Sequence, residues 1–204
     1  GNEIITIIDH FENDHSLIDA KGDNVLVYTN LDAPNYRLVE IDLNKPSPEN
    51  WVDVIPEGDN VLSVNIGGGY LFASYLEDAK TAIKQLTYEG EMVREVNLPD
   101  IGTAYGFGAN NDDSDLYYTF TSFTYPPTIF NYDIESGESK LYRQPKIDFD
   151  PTAFETKQIF YESKDGTKVP MFIVHKKGLE LNGKNATYLY AYGGFNISLR
   201  PSFS

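Results

Sequence analysis

The chain has no cysteine among its 204 residues. That removes disulfide frameworks, thiol nucleophiles and cysteine-based zinc or iron–sulfur sites, and it leaves the redox compartment open. Positive charge is scarce: 16 Lys and Arg stand against 31 Asp and Glu, a formal charge of −15. A surface of that sign repels phosphate backbones and anionic lipids, and no basic stripe with interleaved aromatics offsets it. Neither nucleic acid nor a membrane is an expected partner. No apolar run approaches the roughly 18 residues of a membrane span. The segment Gly1 to Phe11 lacks the basic start and small-residue cleavage site of a signal peptide. The expectation is a soluble protein, cytoplasmic or periplasmic, with the compartment undetermined.

What is present is apolar and aromatic. Hydrophobic residues make up 41% of the chain, enough to fill a core, and the aromatic share is 14%, with 15 Tyr and 12 Phe. Aromatic side chains suit pleated, half-buried surfaces better than long helices, so the chain should be mostly β.

An internal repeat organises the first three quarters. The run Val25-Leu26-Val27-Tyr28-Thr29 returns 45 residues later as Tyr70-Leu71-Phe72-Ala73-Ser74, and after a further 46 as Leu116-Tyr117-Tyr118-Thr119-Phe120. A second strand keeps the same spacing, with Leu38 and Ile41 matched by Ile83 and Leu86 and by Ile129 and Tyr132. A third strand closes each unit before Pro56, Pro99 and Pro145, where a residue without an N–H ends the pairing. Polar turns around Gly22, Gly90 and Gly137 supply the permissive backbone of hairpins. A period near 45 residues without helical periodicity predicts a partial β-propeller of about three four-stranded blades, with a leading strand at Ile4 to Ile8. A closed ring needs at least about four blades, so open blade edges should favour self-association of the isolated chain.

After about Asp150 the pattern changes. Gln158-Ile159-Phe160-Tyr161, the turn Lys164-Asp165-Gly166-Thr167 and the run Val169 to Val174 predict one β-hairpin, because Asp-Gly between apolar runs is a strong turn signal. The apolar run Ala186 to Ala191 then predicts a buried strand leading into Tyr192-Gly193-Gly194-Phe195. Two glycines after a strand suit a phosphate loop or a loop that passes close to a reacting group. The sequence holds no G-x-G-x-x-G and no G-x-x-x-x-G-K-[ST], so no nucleotide and no other cofactor is expected.

Lys164 to Gly178, reading KDGTKVPMFIVHKKG, and Tyr190 to Ser198, reading YAYGGFNIS, resemble the prolyl oligopeptidase family of serine peptidases. Thr29-Asn30 with Pro34-Asn35-Tyr36-Arg37-Leu38, and Tyr118 to Phe123, resemble the same family's propeller, so the likeness spans nearly the whole chain. The resemblance implies a division into the last blades of a propeller, 1–149, and the first strands of an α/β-hydrolase peptidase domain, 150–204. It also implies cleavage of short peptides after proline, with the propeller restricting access by size. By the same resemblance Tyr192 is an oxyanion-hole donor and Phe195 a wall of the pocket for the substrate proline ring. A phenol suits the first role because it donates one directed hydrogen bond while staying neutral near pH 7. An apolar ring suits the second because proline offers no N–H to satisfy.

The sequence contains no G-x-S-x-G, and the spacing of Ser198 from Gly194 does not fit a nucleophile elbow. The family's triad is therefore expected outside these residues, and the chain alone should be inactive. His10, His15 and His175 read as surface or turn residues rather than bases or ligands. Asn110 to Asp115 offers oxygen ligands but lacks the glycine and terminal glutamate of an EF-hand loop, so no metal site is expected. Asn185-Ala186-Thr187 and Asn196-Ile197-Ser198 fit the glycosylation pattern by chance, since a glycan on Asn196 would block the loop at Tyr192. Two further readings of function stay open. One is a non-enzymatic propeller that binds partners; the other is an oligopeptidase B-like enzyme cleaving after basic residues.

Overall fold

β-Branched and aromatic residues in runs of four to nine, punctuated by glycine and proline, fold into fourteen strands among the described residues. A computed structural model describes residues 4–195 and 197–204; Asn196 and the first three residues of the Gly1–Phe11 segment lie outside the described residues. Twelve strands form three antiparallel sheets. The first holds β1 (His15–Lys21), β2 (Asn24–Thr29), β3 (Arg37–Asp42) and β4 (Val52–Ile55). The second holds β5 (Leu62–Gly67), β6 (Tyr70–Glu77), β7 (Lys80–Leu86) and β8 (Met92–Glu95). The third holds β9 (Thr103–Gly108), β10 (Asp115–Thr121), β11 (Thr128–Asp133) and β12 (Ser139–Arg143). In each sheet the strands pair in chain order, the meander of a propeller blade.

The repeat thus corresponds to the second, third and fourth strands of each blade. The first strands, β1, β5 and β9, read HSLIDAK, LSVNIG and TAYGFG. Their glycines and polar residues dilute the apolar signal, and pairing with β2, β6 and β10 is what makes them strands. The leading strand expected at Ile4 to Ile8 does not form. Ile4 and Ile5 are exposed and have no ladder partner, whereas Ile7 packs against the buried cluster of Val25, Val27, Val39 and Ile41.

The core lies between the blades. Leu26, Leu38, Leu62, Leu71 and Leu86 fill the space between the first two, and Phe72, Phe107, Tyr118, Phe120 and Tyr132 fill the space between the second and third. Each such side chain contributes about 1.5–3 kcal/mol by leaving water. The aromatic rings stack in series: Phe107 lies 4.5 Å from Tyr118, which lies 5.4 Å from Phe130. This interlock explains the aromatic excess, because flat rings fill the gap between facing sheets with few voids.

Past residue 150 the only sheet among the described residues is the expected hairpin, β13 (Phe154–Glu162) and β14 (Lys168–Lys176), paired in unbroken register around the Asp165-Gly166 turn. The strand expected at Ala186 to Ala191 is a correction: this segment is irregular and open to solvent, with Tyr188 87% and Leu189 80% exposed. An extended segment becomes a strand only when a neighbour accepts its backbone hydrogen bonds, and among the described residues none does so here.

Candidate functional site

The loops joining the second and third strands of each blade, 30–36, 78–79 and 122–127, share one end of the blade array. The hairpin docks on that end. Gln158 Nε2 donates to the Asp78 carbonyl at 2.5 Å, and the Phe172 ring lies 5.4 Å from Phe123. Loop 30–36 of the first blade is tied down by its own contacts. Tyr36, at φ +67, stacks on Tyr28 at 4.6 Å and donates its hydroxyl hydrogen bond to Asp14 at 2.7 Å. The stack and the hydrogen bond offset the cost of a left-handed backbone at a bulky residue.

The chain's last residues return to this same end. Thr103 opens β9 and Thr121 closes β10, and the two are directly paired across the ladder. The Thr103 hydroxyl donates to the Pro201 carbonyl at 2.8 Å, and the Phe203 N–H donates to Thr121 Oγ1 at 3.3 Å. Thr121 in turn donates to the Tyr125 carbonyl at 3.0 Å. Pro201 is buried, and the Phe203 ring stands edge-on to Phe149, 5.5 Å away, which stacks on Phe154 at the start of the hairpin.

Nine residues before Pro201 stands Tyr192, about half exposed. Its ring folds back over Gly194, so that a Cβ on Gly194 would meet the tyrosine hydroxyl at 3.1 Å. A side chain there would push the ring aside by a few tenths of an ångström. Phe195 has φ +53 and is 91% exposed. Tyr192 and Phe195 thus share one turn, and both present their side chains to solvent. A cleft of about 840 Å³ at the opposite end of the blades, lined by Asp19, Lys21, Glu40, Tyr88 and Asn111 among others, includes neither of them.

His10 is exposed, as expected of a surface residue. His15 and His175 instead lie in strands. His15 has its Nδ1 2.9 Å from Thr29 Oγ1 and its ring edge-on to Trp51, and burial lowers its pKa. The His175 side chain is 7% exposed beside Glu155, its ladder partner. Asn110 and Asp113 close their loop on each other through two hydrogen bonds, of 2.8 and 3.0 Å. No group of His, Asp and Glu among the described residues is arranged to hold a metal ion. The long-range contacts at this end that the sequence reading missed are those of Thr103 with Pro201 and of Thr121 with Phe203. No motif marks them, because their meeting spans more than 80 residues.

Three meandering four-stranded blades packed face to face define a β-propeller protein. More narrowly, the chain belongs to the prolyl oligopeptidase family: the model of that family's N-terminal β-propeller domain matches residues 1–145. It is 50% identical over 202 residues to the prolyl endopeptidase of Elizabethkingia miricola, covering 99% of this chain and 29% of that protein. It is 35% identical to the dual-function macrocyclase-peptidase of Galerina marginata, covering 97% of this chain and 28% of that one. Among solved structures, prolyl oligopeptidase B from Galerina marginata in its apo form superposes with a TM-score of 0.85 at 35% identity, over 97% of this chain and 29% of that chain. The chain thus spans less than a third of the length of these relatives.

Proposed function

We propose that this chain is part of a serine endopeptidase that cleaves short peptides on the carboxyl side of proline. In this reading residues 1–149 are the last blades of the propeller and 150–204 the first strands of an α/β-hydrolase domain, with Tyr192 and Phe195 at its active site. The observation that carries the proposal is the Tyr192-Gly193-Gly194-Phe195 segment, attached to a propeller of the prolyl oligopeptidase family. A serine hydroxyl from elsewhere in the protein gives its proton to a base there and attacks the carbonyl carbon of the proline itself. The carbonyl π electrons move to oxygen, and the Tyr192 O–H donates to the resulting oxyanion; its collapse expels the amine of the next residue, which takes that proton from the base. Phe195 supplies an apolar wall for the pyrrolidine ring, and the propeller limits access to short peptides. Taken alone, the chain lacks the nucleophile and is inactive. Its open blade edges would let a second copy of the isolated chain pair with it.

The test is turnover of a proline-containing chromogenic peptide by the full-length protein, with Tyr192→Phe beside it. The wild type should cleave after proline and ignore an arginine peptide. The variant should lose about a hundred- to a thousandfold in kcat. Cleavage after arginine would move the assignment to basic residues, and unchanged turnover in Tyr192→Phe would remove the oxyanion role.

A further inference from the structure

Thr103 and Thr121 do more than close a blade. We infer that this pair is a propeller-side clamp that positions the Tyr192 segment; the inference rests on the reading of Tyr192 as an oxyanion donor. Ladder partners on β9 and β10 present two hydroxyls side by side, and these hold two alternate residues of one short segment. Pro201 has no N–H, so its carbonyl is the only backbone group it can offer, and Thr103 takes it. Phe203 offers its N–H, and Thr121 accepts it while its own hydrogen goes to Tyr125. The donor and acceptor roles of both hydroxyls are thereby assigned. The Phe149 ring lies edge-on to Phe203 and stacks in turn on Phe154 at the start of the hairpin, so both hydroxyls and a ring hold the segment.

The consequence for the site follows from chain length. From Tyr192 to Pro201 the backbone makes no strand among the described residues, and one described backbone bond, from the Ile197 N–H to the Gly194 carbonyl, shapes its turn. A segment with so few internal bonds takes its position from its ends. At the far end that anchor is the threonine pair, on the propeller rather than on the peptidase part. An oxyanion donor displaced by 1 Å loses much of its effect, so the blade that holds Pro201 also sets how well Tyr192 is aimed.

The experiment uses the full-length protein with Thr103→Val, Thr121→Val and both together. Valine keeps the β-branched shape and removes the hydroxyl; Thr103→Ser and Thr121→Ser restore it. Three measurements are taken: amide exchange of peptides covering 192–204, kcat and KM on a proline-containing chromogenic peptide, and melting temperature. The clamp predicts that the double valine variant exchanges at least about fivefold faster over 192–204 and loses about fivefold in kcat. KM should hold, the melting temperature should stay within about 2 °C, and serine should rescue both changes. In a Tyr192→Phe background the valines should have no further effect on kcat. Unchanged exchange overturns the clamp. Faster exchange with unaltered kcat, where Tyr192→Phe is slow, overturns its positioning role and leaves the oxyanion reading intact. Full turnover in Tyr192→Phe, with faster exchange in the valine variant, removes the oxyanion reading and upholds the anchor.

Discussion

The Tyr132 hydroxyl donates to Gln85 Oε1 at 2.8 Å, and both residues are wholly buried between the second and third blades. Gln85 Nε2 completes the link by donating to the Ile134 carbonyl at 3.0 Å. Tyr132→Phe leaves the glutamine oxygen unpaired in a dry interface, which should cost about 1–3 kcal/mol. The replacement Gln85→Leu orphans the tyrosine hydroxyl and the Ile134 carbonyl together and should cost more. Urea midpoints of the three proteins check the order, with wild type highest and Gln85→Leu lowest.

Two turn substitutions should move stability in opposite directions. The β6–β7 turn puts Asp78 at φ +49 and Ala79 at φ +64. A non-glycine residue there costs about 1–2 kcal/mol, part of which glycine returns as unfolded-chain entropy. Ala79→Gly should therefore stabilise by about 0.5–1 kcal/mol. Gly90 has φ +83, and a Cβ there would collide with the Val54 carbonyl oxygen of the preceding blade. Gly90→Ala should cost about 2–4 kcal/mol, visible as a lowered denaturant midpoint.

Stability should fall at both ends of the pH scale through one polar link across three blades. Tyr88, after β7, donates to Asp19 on β1 at 2.7 Å, and Asn111 of the third blade donates to the same carboxylate oxygen at 3.2 Å. The Tyr88 hydroxyl holds the Asp19 carboxyl below the ordinary carboxylate range, against the opposing effect of burial. Its contribution is full above the unfolded value of about 3.9 and is lost as pH falls through the lower folded value. Burial first, and then the bond to Asp19, push Tyr88 up to about 12. Its contribution is full below the unfolded value of about 10 and is lost as pH rises toward the folded one. Asp19→Asn should make the acid limb of the urea midpoint shallower without abolishing it, because Asp42, Asp133, Asp150 and Asp165 are also held low by hydrogen bonds from nearby turn residues. Tyr88→Phe should delay the alkaline loss.

The blades were legible because their signal is local and repeated. Leu38, Ile83 and Ile129 recur at nearly fixed spacing, and turns at Gly22, Gly90 and Gly137 divide the strands. The Asp165-Gly166 hairpin was legible for the same reason: its turn chemistry and its pairing lie within a dozen residues of each other. Local pattern failed where pairing depends on a distant neighbour. The run Ala186 to Ala191 is as apolar as a strand, yet it finds no ladder among the described residues and lies in solvent. The strand β9, with two glycines in six residues, looks like a loop and is a strand because β10 accepts it.

The candidate site divides in the same way. Tyr192, Gly194 and Phe195 are neighbours in sequence, so a short motif could name them, and the folding of the Tyr192 ring over Gly194 depends on that adjacency. What holds the segment does not. The sequence by itself determined the mostly β composition, the repeat, the hairpin and the adjacency of Tyr192, Gly194 and Phe195, because each is encoded within one strand or turn. Only the tertiary structure decided that Thr103 meets Pro201 and Thr121 meets Phe203, because hydrogen bonds between residues 98 and 82 positions apart follow from blade packing and leave no periodicity to read.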